Sequence, residues 1–302
     1  MKTKNAVQIL TLTLLCVSIV SIAYGERVTR DRTPISYHIT QEEYDPIKTL
    51  AEAKNIVETT WDLPDKELSI ISSIKSEEQM DETYWSLSYY DGEEYLLRVK
   101  METETGRIVS LTDHRYEGTD NNVKDEKQVL AIASRLYEKM GVDVSKLPEP
   151  NIHPPHKAGD VVFNEYTVIH PQYYNGLPVL GGYLRTRIDA ESLQPVGYTN
   201  ALIDVDEINV TPKTTKESAT KAAGEYLKST LIQEKGYGYC EILSIELCIG
   251  RIHYHPYEDG VIVPCGEPQL MWYVTAQGEN SRPIGIMIDA SNDTIIGIEE
   301  VG

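Results

Sequence analysis

Cysteine is scarce in this chain, and its spacing argues against a disulfide framework. Of four cysteines among 302 residues, Cys16 lies in the N-terminal apolar segment and the other three lie further along. The three cysteines beyond residue 25 are an odd number, so at least one thiol stays unpaired if the protein is exported. Cys240 and Cys248 lie eight residues apart on one predicted strand, and at about 3.3 Å per residue they are too distant to bridge. We expect no disulfide-dependent scaffold, and expect Cys240, Cys248 and Cys265 to serve mostly as small hydrophobic residues.

Positive charge is also in short supply. The chain has 28 Lys and Arg against 47 Asp and Glu, which gives a net charge of −19. Removal of residues 1–25, which carry two lysines and no acid, makes the charge more negative still. A polyanion of this size does not suit nucleic acid or an anionic membrane surface as a partner. The simplest interpretation is that the acidic residues keep an exported protein soluble.

Only one long apolar run is present, and it lies at the N-terminus. Two lysines precede Val7–Ala23, and the small residues Ala23 and Gly25 suit cleavage before Glu26. The pattern predicts a signal peptide over residues 1–25 and a secreted or extracytoplasmic protein. The alternative is an uncleaved signal anchor, because the run is near the length that spans a bilayer. Membrane contact would then be made only through this segment.

Motifs that carry chemistry are missing as well. The sequence contains no His-Glu-x-x-His, no Gly-x-Ser-x-Gly and no glycine-rich phosphate loop before a helix. Gly181 and Gly182 open a predicted strand instead. Acidic pairs such as Glu77-Glu78 and Asp125-Glu126 are most simply solvated. We therefore predict no catalytic residue, no cofactor-binding residue and no cofactor, and expect the protein not to be an enzyme.

Two histidine pairs are the remaining candidates for a metal site. The spacing of His153 and His156 suits two ligands on a helix, but the two prolines between them exclude a helix. His253 and His255 share one face of a predicted strand, where a solvated polar face is the favoured interpretation. No third ligand is identified by spacing, so we predict no metal site, and a metal-dependent hydrolase is the least favoured hypothesis. Cys265, between a proline and a glycine, can be exposed, but no base can be assigned to it.

An order of elements occurs three times along the chain: a helix, a turn and then a meander of strands. Apolar periodicity predicts helices over about 45–61, over 127–140 and from 214 onward, each followed by alternating strands and Gly- or Asp-containing turns. Each helix can lie on one face of an antiparallel sheet, which is α+β architecture. The predicted organisation is a linker over 26–44 followed by tandem units of one helix on its own meander. These units cover residues 45–115, 124–210 and 213–302.

The strongest signal is the likeness among the hairpins that close the three units. They read LLRVKMETETGRIVSL from Leu96, YLRTRIDAESLQPVGY from Tyr183 and PIGIMIDASNDTIIGI from Pro283. In each, an alternating strand meets an acidic turn and returns as a short apolar strand. Before the middle hairpin, Asn175-Gly176 predicts a tight turn. We assign Asp189 to turn chemistry rather than to catalysis.

The motifs around these hairpins resemble a known family of secreted modules. Trp272-Tyr273-Val274, with Ile288-Asp289-Ala290 and Ile295, resembles the PepSY domain. The stretch from Tyr174 to Ala190, with its Asn-Gly and Gly-Gly pairs, is similar to the fungalysin/thermolysin propeptide domain. From about Pro46 onward, the chain resembles the YcdB/YcdC-like secreted bacterial proteins that string such units together.

The resemblance implies a function without catalysis. In thermolysin-like precursors, a propeptide of this kind precedes the peptidase domain, whose His-Glu-x-x-His motif this sequence does not contain. The resemblance therefore implies an exported, non-enzymatic protein that binds a separate peptidase and inhibits it or assists its folding. A sheet edge or an extended segment can make such a contact as an added strand. The alternative is a cell-envelope structural or sensor module without a peptidase partner.

Overall fold

The computed structural model describes most of the chain beyond its N-terminal segment. It covers residues 38–39, 48–63, 68–77, 82–116, 125–158, 161–229, 240–251, 267–278 and 283–300. The predicted signal peptide, most of the predicted linker, His253, His255 and Cys265 lie outside these residues, so their assignments stay predictions. No helix within the described ranges is long and apolar enough to span a bilayer.

Strands predominate over helices among the described residues. The α-helices there are α1 (Leu50–Thr60), α2 (Glu126–Lys139) and α3 (Lys216–Tyr226). The strands in chain order are β1 (His38–Ile39), β2 (Ser69–Glu77), β3 (Glu82–Asp91), β4 (Glu94–Glu102), β5 (Ile108–Asp113), β6 (Asn151–His153), β7 (His156–Ala158), β8 (Val161–Phe163), β9 (Glu165–Tyr174), β10 (Leu177–Asp189), β11 (Pro195–Asn200), β12 (Cys240–Gly250), β13 (Gln269–Gly278), β14 (Ile284–Asp289) and β15 (Ile295–Glu300). A turn of 3₁₀ helix, Val144–Lys146, follows α2.

Polar side chains cap the helices where they begin. The Thr49 hydroxyl accepts a hydrogen bond from the Glu52 N–H at 3.3 Å, and the Glu52 carboxylate accepts one from the Thr49 N–H at 2.8 Å. This reciprocal pair is a capping box. The Asp125 carboxylate caps α2 by accepting from the Lys127 N–H at 3.0 Å, and Thr215 caps α3. The caps satisfy N–H groups that have no partner within the helix.

The described chain divides into two compact units. The N-terminal unit comprises the described parts of 33–172 and 182–202, and the C-terminal unit comprises those of 173–181 and 203–302. Strand β10 belongs to both, because the division falls after Gly181, which has a positive φ of 74°. Before this strand, Asn175 and Gly176 have φ values of 49° and 82°, which confirms the tight turn predicted there.

The N-terminal unit is built on one large sheet, and β7 and β8 form a separate two-stranded hairpin. The strand order of the large sheet is β1–β2–β3–β4–β5–β11–β10–β9–β6. The helices α1 and α2 contribute their apolar sides to the core of this unit, where Val57 and Val129 are fully buried together with strand residues such as Leu97. Because both helices pack into the same cluster, they share one core rather than covering separate meanders.

This topology corrects the predicted fold class. Strand β5 of the first predicted unit pairs with β11 of the second, with Thr112 opposite Gly197 and Leu111 opposite Tyr198. The prediction of α+β tandem units, each a helix on its own antiparallel meander, is wrong, because the protein is mostly β with a large mixed sheet. The physical reason is that the last strand of a meander leaves unpaired N–H and C=O groups along its edge. Alternation of apolar residues shows which face of a strand is buried, but not which strand will pair with its edge.

The C-terminal unit has the strand order β10–β12–β13–β14–β15. Val179 of β10 pairs in parallel with Ile249 of β12, whereas the later pairs are antiparallel. The helix α3 lies on one face of this sheet. The core under α3 contains Ala219, Ala223, Leu227, Ile245, Trp272, Val274, Ala276, Ile286, Ile288 and Ala290.

Three hairpin turns share one backbone geometry. In each, the N–H of the first residue donates to the carbonyl five residues later, and the N–H of the fifth residue donates back to the carbonyl of the first. The first and fifth residues are Glu102 and Gly106, Asp189 and Leu193, and Asp289 and Asp293. Every fifth residue has a positive φ, between 57° and 76°. Asp189 also accepts a hydrogen bond from the Ser192 N–H at 2.7 Å, so its carboxylate acts in the turn as predicted.

Candidate functional site

A cleft of about 520 Å³ lies within the N-terminal unit. Its walls come from the end of α1, the segment after β5, one side of α2 and the turn between β10 and β11. Its volume is in the range of ligand pockets, about 300–1,000 Å³. The cleft is lined by Thr60, Trp61, Asp62, Arg115, Tyr116, Gln128, Ile132, Arg135, Leu136, Lys139, Ser192, Leu193, Gln194 and Pro195.

A hydrogen-bonded network fixes one wall of the cleft. The Asp113 side chain is fully buried and accepts a hydrogen bond from the Trp61 indole N–H at 2.7 Å. The same carboxylate accepts bonds from the Arg115 backbone N–H at 3.0 Å and from its Nε at 2.9 Å. The hydrogen bonds from the Arg115 side chain to Asp113, together with the negative charge of Asp113, raise the pKa of Arg115 above its ordinary value. The guanidinium is therefore a fixed, permanently charged part of the wall.

Arg135 and Lys139 add exposed positive charge from α2. The Lys139 ammonium lies 3.2 Å from the Asp62 carboxylate, and this pair contributes little stability because the Asp62 side chain is 97% exposed. Arg135 donates through Nε to a carbonyl one helical turn back, at 3.3 Å, and its terminal nitrogens have no partner in the described part of the chain. The cleft lining carries three cations, Arg115, Arg135 and Lys139, and one carboxylate, Asp62. Even when the buried Asp113 beside Arg115 is included, the local charge is positive on a chain of net charge −19.

Apolar side chains complete the lining. Ile132 and Leu136 of α2 are largely buried and belong to the core of the N-terminal unit. Leu193 is partly buried against the same core, at the fifth position of its hairpin turn. The cleft thus joins a fixed apolar floor to exposed cations. Such a surface can hold an anionic group by charge-assisted hydrogen bonds while it covers apolar area.

His153 and His156, which the sequence predicts not to bind metal, lie on β6 and on the β7–β8 hairpin. His153 lies on β6 and is half-buried, and burial together with the nearby His156 lowers its pKa. The His156 ring stacks on Phe163 with centroids 4.8 Å apart. No group of three or more His, Cys, Asp or Glu side chains within the described ranges has the arrangement of a metal site.

The two described cysteines are both free thiols. This confirms that Cys240 and Cys248, at opposite ends of β12, do not bridge each other. Cys248 is 1% exposed, and burial, with the charges of Glu246 and Glu299, strongly raises the pKa of its thiol. Cys248 is therefore a small core residue whose thiolate, the reactive form, is nearly absent at neutral pH.

We predict that Cys248 is protected from thiol reagents until the C-terminal unit unfolds. In residues 26–302 carrying Cys240→Ser and Cys265→Ser, the remaining thiol should react with DTNB at least about 100-fold more slowly than free cysteine at pH 8, because its pKa is raised by burial. In 6 M guanidinium the same thiol should react completely within minutes. Fast reaction of the folded double variant would contradict the buried placement of Cys248.

His170 was not singled out by its sequence context, yet it is a buried ionisable group. It is 7% exposed, its Nδ1 donates to the Pro148 carbonyl at 2.9 Å, and its ring meets that of Tyr137 edge-on, with centroids 5.4 Å apart. Burial lowers the pKa of His170 from its ordinary value of 6.5, and the bond to Pro148 only partly opposes this. His170 is therefore held in its neutral form.

The lowered pKa values of His153 and His170 predict a loss of stability in mild acid. Below about pH 6.5 the unfolded chain takes up protons that the folded chain refuses, so the free energy of unfolding falls as the pH drops. The stability that these lowered pKa values provide is fully present above about pH 6.5. It is lost progressively as the pH falls toward the pKa of each folded group. Urea denaturation at a series of pH values between 7.5 and 5.0 should show that the free energy of unfolding depends less steeply on pH in His170→Gln than in the unsubstituted protein. An equal pH dependence in the two proteins would contradict the lowered pKa of His170.

Sequence reasoning did not find the cleft. Its charged residues come from three separate segments, and their approach depends on how α1, α2 and β5 pack. One signal was available, since Arg135 and Lys139 have the i, i+4 spacing that places them on one face of a helix. Charges at this spacing are usually solvated, so the spacing alone does not predict a site.

Comparison with known proteins yields a distant structural likeness. No family model matches the chain, and no curated protein matches it. Among solved structures, the chain is similar to the Bacillus megaterium YpeB C-terminal domain, with 13% identity and a TM-score of 0.42, over 84% of this chain and 98% of that chain.

Proposed function

We propose that the protein is an exported, non-enzymatic module that binds a separate peptidase and inhibits it or assists its folding. The observation that carries the proposal is the cleft of the N-terminal unit, which presents exposed cations beside a fixed apolar floor. The resemblance of Trp272-Tyr273-Val274 and Ile288-Asp289-Ala290 to PepSY motifs supports a peptidase as the partner.

The geometry of the cleft favours binding over chemistry. Trp61 donates to Asp113, and Asp113 in turn accepts from Arg115, at 2.7–3.0 Å, so Asp113 and Arg115 both serve as fixed supports. Their rotamers are set before any partner arrives, which lowers the entropy cost of association. Arg135 and Lys139, by contrast, extend from the exposed side of α2. A fixed wall with exposed charged groups beside it suits recognition of a polypeptide surface.

The direct test measures peptidase activity. Residues 26–302 would be added at micromolar concentration to the secreted metallopeptidases of the source organism, both during hydrolysis of a peptide substrate and during refolding of the denatured enzymes. We expect slower hydrolysis or a changed refolding yield for at least one enzyme. Unchanged rates and unchanged yields for all of them would refute the proposal.

A further inference from the structure

We infer that the cleft of the N-terminal unit recognises an acidic peptide segment, whose carboxylates are bound by Arg135 and Lys139. The choice of a polypeptide rests on the proposed function. The choice of an acidic ligand follows from the charges of the cleft itself.

Arg135 is the principal contact in this inference. Its guanidinium uses only Nε, in a bond of 3.3 Å to the helix backbone, and its terminal nitrogens have no partner among the residues described. A guanidinium whose terminal nitrogens are available can donate two parallel hydrogen bonds to one carboxylate. The apolar residues beside it, Ile132 and Leu136, lie on the same lining. The peptide that fits is therefore one in which acidic and apolar side chains alternate or neighbour each other.

Asp62 competes with the ligand for Lys139. Its carboxylate lies 3.2 Å from the ammonium and its side chain is 97% exposed, so it occupies a position that a ligand carboxylate would take. It also lies close enough to Arg115 to contribute to the raised pKa of that group. Removal of the Asp62 charge should therefore strengthen the binding of an acidic peptide without disturbing the fold.

The net charge of the protein favours a short peptide over a membrane as the anionic partner. A chain of net charge −19 is repelled by an anionic bilayer over a large area. A short acidic segment presents only a few charges, and these act within about one Debye length, 8–10 Å, of the cationic cleft. Local attraction can then exceed the repulsion from the rest of the surface.

The inference is tested by fluorescence anisotropy with residues 26–302 and three labelled, end-capped peptides. The first alternates Glu and Leu, the second has Gln in place of Glu, and the third has Lys in place of Glu. We expect the Glu peptide to bind most tightly. Arg135→Glu should weaken its binding by about tenfold or more. Asp62→Asn should tighten it by about two- to fivefold, since a competing charge is removed.

The matched control is Lys127→Glu, which makes the same change of charge at another exposed position of α2. Lys127 is not part of the cleft lining, so the loss should be less than about twofold. Equal losses in Lys127→Glu and Arg135→Glu, or equal affinity for the Glu and Gln peptides, would overturn the inference. Tighter binding to polyphosphate or to phosphatidylglycerol vesicles than to the Glu peptide would overturn it as well. Circular dichroism and thermal unfolding would show that each variant is folded.

This experiment separates the inference from the proposed function. If the protein inhibits a peptidase and Arg135→Glu inhibits it equally well, the acidic-peptide inference fails and the proposed function stands. If the Glu peptide binds as expected but no secreted peptidase is affected, the inference stands and the proposed function fails.

Discussion

Replacement of Asp113 by alanine is expected to lower the free energy of unfolding of the N-terminal unit by about 3–5 kcal/mol. The Asp113 side chain is fully buried and the Arg115 side chain is only 16% exposed. Loss of the carboxylate would leave a nearly buried guanidinium without its counterion. It would also leave the Trp61 indole N–H without its acceptor at 2.7 Å, which adds the cost of an unsatisfied buried donor.

Urea denaturation, followed by circular dichroism, measures this loss. Asp62→Ala is the control, because it removes the carboxylate of an exposed ion pair with Lys139, at a position that is 97% exposed, and should cost less than about 1 kcal/mol. A double variant, Asp113→Leu with Arg115→Met, should be more stable than Asp113→Ala alone, since it leaves no unpaired charge. A loss below about 1 kcal/mol for Asp113→Ala would mean that the network does not hold the cleft wall.

A second large effect is expected at Ile74. Its side chain is 2% exposed in the core of the N-terminal unit, on β2 opposite Trp85 of β3. Ile74→Ala should lower the free energy of unfolding by about 2–5 kcal/mol, because it removes buried methyl and methylene groups and leaves a cavity. The result is measured as a shift in the midpoint of urea denaturation at an unchanged slope.

Ile71 offers a matched control on the same strand. Ile71→Ala is the same substitution at a position that is 64% exposed. Ile71 lies three residues before Ile74 and therefore on the other face of β2. Ile71→Ala should change the free energy of unfolding by less than about 0.5 kcal/mol. Similar losses in the two variants would contradict the assignment of the faces of this strand.

Much of the local structure could be predicted from neighbouring residues. The apolar periodicity predicted helices close to α1, α2 and α3, and alternation predicted strands such as β4, β10 and β14. The turns were predictable because their chemistry is local: Asn175 and Gly176 tolerate positive φ, and Asp189 accepts a hydrogen bond from a residue three positions away. The likeness of the closing hairpins in sequence corresponds to three turns with the same hydrogen bonds.

The assembly of these elements could not be predicted in the same way. The pairing of β5 with β11 joins residues more than 80 positions apart, as with Leu111 and Tyr198, through backbone groups that every residue carries. No side-chain pattern encodes that choice, and the tandem-unit prediction failed at this point.

The sequence by itself determined the composition of this protein and its local structure: an acidic chain, few cysteines, an N-terminal segment with the pattern of an export signal, and turns whose geometry follows from Gly, Asn and Asp. Only the tertiary structure decided where the charges meet. Asp62, Arg115 and Arg135 are far apart along the chain and line one cleft, because α1, α2 and the end of β5 pack around a common core. Apolar periodicity depends on residues that are close together in the sequence, whereas the cleft is formed by separate segments that packing brings together. The cleft therefore became visible only after the fold was known.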